Sequence, residues 1–200
     1  MSNTSKRDFA KVNQVALKLV ERLRPFCERI EIGGSLRRRA ALVGDIEIVA
    51  IPVPVLDLFG AETGQTEVDL SLAKMPIEML ANGQRQKKFM LTSTTGDRYQ
   101  VDLFLQPDPA TWAMNLIIRT GSADFSHWLV TKRSLGGAMW DDCYSSGARL
   151  YWAGNPGTPL ALPEEEDVFR FLRLPFVPPH ARTEGAWRTL PAEKRPEPTL

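Results

Sequence analysis

The residues best suited by type and spacing to do chemistry in this chain are Asp45 and Glu47, in the string Asp45-Ile46-Glu47-Ile48. On a strand, residues two apart share a face, so both carboxylates point one way while Ile46 and Ile48 point the other. Neighbouring carboxylates repel, and a divalent cation between them removes the repulsion; hard oxygen donors suit Mg²⁺, with Mn²⁺ as a substitute. A third acid, Asp102, stands between Val101 and Leu103 in Tyr99-Gln100-Val101-Asp102-Leu103-Phe104. If the two strands are neighbours, three carboxylates converge. Such a set can hold two ions roughly 3.5–4 Å apart, one lowering the pKa of an attacking hydroxyl and one steadying a leaving pyrophosphate. Each acid taken alone equally suits a solvent-facing position on a half-buried strand.

Upstream lies Gly33-Gly34-Ser35-Leu36-Arg37-Arg38-Arg39. Two glycines let backbone N–H groups approach a phosphate closely, the Ser35 hydroxyl adds a donor, and an arginine adds a charge-assisted fork. Alone, a Gly-Gly-Ser loop is a turn and an arginine triplet is a solvated face. Their position matters: a phosphate cradle at the end of one strand and an acidic pair at the start of the next put triphosphate oxygens beside the metals they need.

The elements that must position these groups follow from periodicity. Residues 8–24 carry Phe9, Val12, Val15, Ala16, Leu19, Val20 and Leu23 at the spacing of an amphipathic helix, closed by Pro25. Arg29 to Ile32 alternates as a strand running into Gly33-Gly34, and residues 45–51 form a second strand closed by Pro52 and Pro54. Residues 55–72 read as a loop with some local structure, since Gly60, Gly64 and scattered acids break any period, and Met75 to Ala81 as a short helix. Residues 86–92 and 98–105 read as a hairpin. Pro107 and Pro109 mark a boundary, giving a domain over 1–107 and another over 108–182. In the second, Thr111 to Arg119, Ser126 to Leu135 and Glu164 to Leu172 look helical, and 138–162 reads as a small antiparallel sheet. Residues 183–200 read as a flexible, solvated tail.

Composition bounds what remains. With 25 Lys+Arg, 24 Asp+Glu and 43% apolar residues over 200 positions, the chain is an ordinary globular sequence. No run approaches the roughly 18 apolar residues of a membrane span, and MSNTSKRDFA lacks a signal-peptide core, so the expectation is a soluble, cytoplasmic protein with no membrane partner. Cys27 and Cys143 lie far apart without a CxxC, favouring free thiols. The net charge of +1 conceals blocks: +6 over residues 1–39, −6 over 40–83 and +3 over 84–101. An acidic, metal-holding centre flanked by basic, phosphate-holding surfaces has this pattern.

The string Gly34-Ser35-Leu36-Arg37-Arg38 through Val43-Gly44-Asp45-Ile46-Glu47, with Asp102 on a later strand, resembles the signature of the DNA polymerase β-like nucleotidyltransferases, and more specifically family X DNA polymerases. Thr120-Gly121-Ser122 is similar to that family's motif beside the nucleotide sugar, and Leu174 to Pro179 to its closing segment. The resemblance covers residues 8–182. It implies an α+β fold: a nucleotidyltransferase palm with a mixed sheet and two helices, followed by a small α+β thumb, the minimal layout of a small viral repair polymerase. It implies a gap-filling DNA repair polymerase that moves a nucleotide from a dNTP to a DNA 3′-hydroxyl on gapped or primer-template DNA, releasing pyrophosphate, as a monomer.

In that resemblance Asp45 and Glu47 hold both metals, and Asp102 holds the catalytic metal and acts on the primer hydroxyl. Gly34, Ser35, Arg38, Gly44, Thr120 and Gly121 contact the nucleotide, Ser35 and Arg38 at the β- and γ-phosphates. From their charge, Arg37, Arg39, Lys87 and Lys88 are expected to face DNA, making binding salt-sensitive with a slope near 0.9 per phosphate contact, while Lys87 and Lys88 equally suit solvated strand-edge positions. The family's minor-groove Asn and Arg correspond to Ser126 and Val130, where His127, Lys132 and Arg133 stand close enough to serve instead. His127 alone equally suits a structural role, and Trp112, Trp128, Trp140 and Trp152 suit a core as well as base stacking. No amino-terminal lyase domain has a counterpart, so no lyase activity is expected. Glu47 stands where these polymerases usually have Asp, and Ile118-Arg119 replace the pair that screens the sugar 2′ position, extending the expectation to rNTPs. The alternatives are a nucleotidyltransferase acting without template or on a small acceptor, and a non-catalytic DNA gap-binding protein.

Overall fold

The computed structural model describes residues 6–183 and 185–189. The protein is mixed in class, α+β, and divides into two compact units, Met1–Pro109 and Ala110–Leu200. In the first, a short strand β1 (Arg7–Asp8) leads into α1 (Phe9–Leu23), then β2 (Cys27–Ile32), a one-turn helix α2 (Gly34–Arg37), β3 (Leu42–Val43), β4 (Ile46–Pro52), β5 (Pro54–Leu56), β6 (Glu62–Thr66), α3 (Glu67–Ala73), β7 (Ile77–Asn82), β8 (Gln86–Thr92) and β9 (Arg98–Leu105). The second holds α4 (Trp112–Thr120), α5 (Ala123–Val130), β10 (Cys143–Ser146), β11 (Arg149–Trp152), β12 (Asn155–Pro159) and α6 (Glu165–Phe171).

A five-stranded mixed sheet, ordered β2-β4-β9-β8-β7, organises the first unit. β4 and β9 run parallel at its centre, and the other pairings are antiparallel. One face is the core side. Ile46, Ile48 and Ala50 of β4, Val101, Leu103 and Leu105 of β9 and Phe89 of β8 pack there against Val12, Ala16, Leu19, Val20 and Leu23 of α1 and Val68 and Leu72 of α3. Each fully buried large aliphatic contributes about 1.5–3 kcal/mol. Asp8 starts α1 by accepting from Ala10 N–H at 2.9 Å. The strict alternation of β4 and β9 therefore puts Glu47 and Asp102 on the opposite face.

Two stretches differ from the expectation. Residues 55–72 contain the β5–β6 hairpin and α3 in place of a loop, because Gly60 supplies the positive φ of the hairpin turn and Thr66 and Asp69 cap α3 reciprocally. Met75 to Ala81 is not a helix: Ile77–Asn82 is the edge strand β7, paired with β8. A short apolar run carries no period that separates the two, and sheet pairing decides.

The second unit packs α4, α5, α6 and the three-stranded sheet β10-β11-β12 around its own core, which holds Ala113, Ile117, Phe125, Leu150, Val168 and Phe169. Trp112 and Trp140 are buried. Of the segment expected as a tail, Ala186–Thr189 forms a 3₁₀ turn whose Trp187 is only 3% exposed, with ring centroids 5.4 Å from Phe125 and 5.0 Å from Trp128; residues 184 and 190–200 lie outside the described residues. Both cysteines are free, and burial, opposed by Arg24, pushes the Cys27 thiol up to about 11. Among the described residues no helix is long and apolar enough to cross a membrane.

Candidate functional site

Two of the three acids, Glu47 and Asp102, are neighbours on the outer face of the central sheet. Glu47 and Asp102 are register partners on the parallel strands β4 and β9, and Lys88 of β8 is the register partner of Asp102 on the other side. A single row, Glu47-Asp102-Lys88, thus crosses three strands. Asp102 is 5% exposed and fully engaged: Gln86 Nε2 donates to Oδ1 at 3.0 Å, Gln100 Nε2 donates to Oδ2 at 2.9 Å, and Lys88 Nζ lies 3.2 Å from Oδ1. Asp45 sits in the bend just before β4. Burial, reinforced by the charge of Asp102, pushes its carboxyl above the ordinary value, while Lys88 and its own backbone hydrogen bond pull the other way.

The glycine-serine segment, expected as a tight loop, folds as the one-turn helix α2. Leu36, 3% exposed, anchors it in the core, and Gly33 N–H donates to the Glu47 carbonyl at 2.8 Å. Gly34 has φ +61°, and a Cβ there would collide with Glu47 Oε2. Only glycine lets the Glu47 carboxylate lie against this turn. Ser35 and Arg37 are half-buried at the turn, Arg39 is exposed with φ +57°, and Gly44 lies in the bend before Asp45 with open space beside it. Burial lowers the Arg38 guanidinium from its ordinary value, opposed by the Glu47 charge, so this turn and Glu47 are electrostatically joined.

Other expected site residues are placed differently. Lys87 does not face outward: it is 3% exposed on the core side of β8, where Nζ pairs with Asp69 and donates to Asn82 Oδ1 at 2.7 Å and the Gly83 carbonyl at 3.3 Å. Its phase is that of Phe89, two residues on, and opposite to that of Lys88. Lys88 itself turns to Asp102. Arg133 is likewise structural, its guanidinium stacked over Trp140 at 3.5 Å and donating to the carbonyls of Ala138, at 3.1 Å, and Leu172. His127 and Lys132 are exposed on the second unit. Thr120 is fully buried at the end of α4, Gly121 caps that helix with φ +67°, and the Gly121–Ser122 peptide is cis. Gln86 and Gln100, missed from sequence, complete the surroundings of Asp102; Gln100 shares its strand and its alternation, but Gln86 depends on the hairpin register.

The Lys87–Asp69 pair carries a stability expectation. Burial alone would raise the Asp69 pKa, yet hydrogen bonds from Lys87 and Thr66 and the Lys87 charge carry it below the ordinary value. A depressed folded pKa contributes stability that is present above the unfolded value and is lost as pH falls through the folded one. Lys87→Met should cost about 2–3 kcal/mol at neutral pH, less than a fully buried pair because Asp69 retains 26% side-chain exposure. Urea unfolding at two pH values checks this. The deficit should shrink in acid, below the Asp69 transition.

Among the described residues no group of three or more Asp, Glu, His or Cys side chains is assembled as a metal cage. The donors fit a divalent cation in kind: Glu47 and Asp102 are register partners on one sheet face, and Asp45, in the bend just before β4, has its carboxyl raised first by burial and then by the charge of Asp102. In the arrangement described, Lys88 supplies the positive charge at Asp102. No family model and no curated protein matches the chain.

Proposed function

We propose that the protein is a template-directed nucleotidyltransferase of the family X polymerase kind, adding a nucleotide from a dNTP, or an rNTP, to a DNA 3′-hydroxyl to fill gaps. In this reading the first unit serves as the palm and the second as the thumb. The observation that carries it is the register row in which Glu47 faces Asp102 beside Asp45, with the Gly34 turn pressed against Glu47.

Asp45, Glu47 and Asp102 would hold Mg²⁺, which supplies the charge that acidifies an attacking hydroxyl and stabilises a leaving pyrophosphate. The chain's own groups position and neutralise. Gln86 and Gln100 hold both oxygens of Asp102, fixing its carboxylate plane. Lys88 balances its charge, so that the acidic face does not repel a triphosphate. Ser35 and Arg38 donate to the phosphates from a turn whose position is set by Leu36 and by the Gly33–Glu47 backbone hydrogen bond.

Gly34→Ala tests that coupling. The added methyl must move the Glu47 carboxylate and forces an L-residue to positive φ, so the rate should fall on the order of 10²-fold while stability falls by about 1–2 kcal/mol. Single-turnover incorporation beside a melting curve separates the two.

A second reading is transfer to a different acceptor, because Lys87 and Arg133, two of the groups expected to face DNA, are occupied by internal bonds. The deciding experiment is extension of a labelled primer on one-nucleotide-gapped DNA with Mg²⁺, each dNTP and rNTP supplied singly. Addition of the complementary nucleotide alone supports the polymerase. Triphosphate turnover that ignores the template, or needs no DNA, favours the second reading.

A further inference from the structure

The β5–β6 hairpin holds large apolar side chains in solvent. At its tip Leu58 is 100% exposed and Phe59 96%, and Leu56 at its base is 54% exposed. This is a built turn: Asp57 Oδ1 accepts from the N–H groups of Phe59 at 2.8 Å and Ala61 at 2.9 Å, Asp57 N–H donates to the Ala61 carbonyl at 2.8 Å, and Gly60 takes φ +80°. The turn spends its own hydrogen bonds to present an apolar tip to water, and a contiguous exposed apolar feature of this sort marks an interaction site. Its own stretch of chain is acidic. Asp57, Glu62 and Glu67 flank it, and no Lys or Arg occurs between Arg39 and Lys74. Nucleic acid and anionic lipid are thereby disfavoured as partners, and a basic-rimmed apolar surface is favoured.

The same unit carries such a surface. A groove of about 530 Å³ runs along α1, floored by Val15, Met75 and Leu91 and rimmed by Lys11, Lys18 and Arg22. Lys11, Lys18 and Arg22 fall on one helical stripe and all three are exposed. The one acid in the lining, Asp97, is already paired, with Arg7 NH1 3.3 Å away. The finger and the groove are complementary in both shape class and charge.

We propose that the chain self-associates by seating Leu58 and Phe59 of one copy in the α1 groove of a second copy, with Asp57 and Glu62 against Lys11, Lys18 and Arg22. The contact is heterologous, since finger and groove are different surfaces. It uses none of Asp45, Glu47 or Asp102 and stands apart from the catalytic reading; it replaces the single-copy state expected from sequence.

Sedimentation equilibrium of the full chain from about 1 μM to about 1 mM tests it. The average mass should climb above the 22.4 kDa of one chain and fall back as salt is raised. Phe59→Ser removes the ring from water contact only, so folding is unaffected, and association should weaken at least about tenfold. Lys18→Glu with Arg22→Glu should do the same from the groove side. An equimolar mixture of the finger variant and the groove variant should form heterodimers at concentrations where each variant alone stays largely at the mass of one chain, because each supplies the half the other lacks. A wild type that stays at the mass of one chain throughout overturns the proposal and leaves the finger to a different partner. So does a mixture that remains monomeric, or association that survives Phe59→Ser.

Discussion

Asp102→Asn is expected to lower single-turnover incorporation on gapped DNA by about 10³-fold or more while leaving the folded state nearly as stable as the parent. The asymmetry follows from the geometry. Asn keeps the volume of Asp and one carbonyl oxygen, so at least one of Gln86 and Gln100 retains its acceptor. Lys88, 36% exposed, can return to water when the carboxylate is gone. What the variant loses is the negative charge at the centre of the Glu47-Asp102-Lys88 row. If that charge organises phosphoryl transfer, the rate collapses; if Asp102 is only a polar strand residue, the rate survives. Binding to gapped DNA should be unchanged or tighter, since removing an anion lowers repulsion toward phosphate. A variant that incorporates at the parental rate would remove Asp102 from the chemistry and with it the polymerase reading.

The parts of this site that were legible in sequence are those fixed by period two within one strand. Ile46 and Ile48 face the core if Glu47 does not, and Val101 and Leu103 do the same for Asp102; both face assignments hold in the structure, although Asp102 is itself buried on the opposite face. Pairing between strands was not legible. That Lys88 and not Lys87 meets Asp102 depends on the register of β8 against β9. The run Phe89-Met90-Leu91 is apolar at every position, so its phase cannot be read locally; only the complete burial of Phe89 puts Lys87 on the core side. The partner that makes a buried Lys87 tolerable, Asp69, lies on α3, within a stretch that reads as loop. Gly60 and Gly64 look like breakers in sequence, yet both sit at positive φ inside an ordered hairpin. Glycine reports backbone freedom, and a tight hairpin needs that as much as a loop does.

In the second unit, Arg182→Met is expected to cost about 3–5 kcal/mol, the largest stability effect of any single substitution considered. Arg182 has no exposed surface. Its NH1 donates to Glu165 Oε1 at 2.9 Å and its Nε to the Val177 carbonyl at 2.9 Å, while its guanidinium carbon lies 5.3 Å, 5.6 Å and 5.9 Å from the ring centroids of Phe125, Phe169 and Phe176. A cation so placed is tolerable only because Glu165, 6% exposed in the first turn of α6, sits against it among the rings. Met fills the space but leaves the Glu165 carboxylate buried without that cation. Replacing both, Arg182→Met with Glu165→Leu, removes the stranded charge and should recover most or all of the loss, since a buried ion pair is worth little against a well-packed apolar pair. Arg182→Lys should fall between the two, because one ammonium cannot serve a carboxylate and a carbonyl with the fixed fork of a guanidinium. Urea unfolding followed by tryptophan fluorescence, to which Trp128 and Trp187 contribute with ring centroids 5.0 Å apart in this core, reads the series. A double variant as unstable as Arg182→Met would mean that the guanidinium contributes through packing on the rings, and that the ion pair is incidental to it.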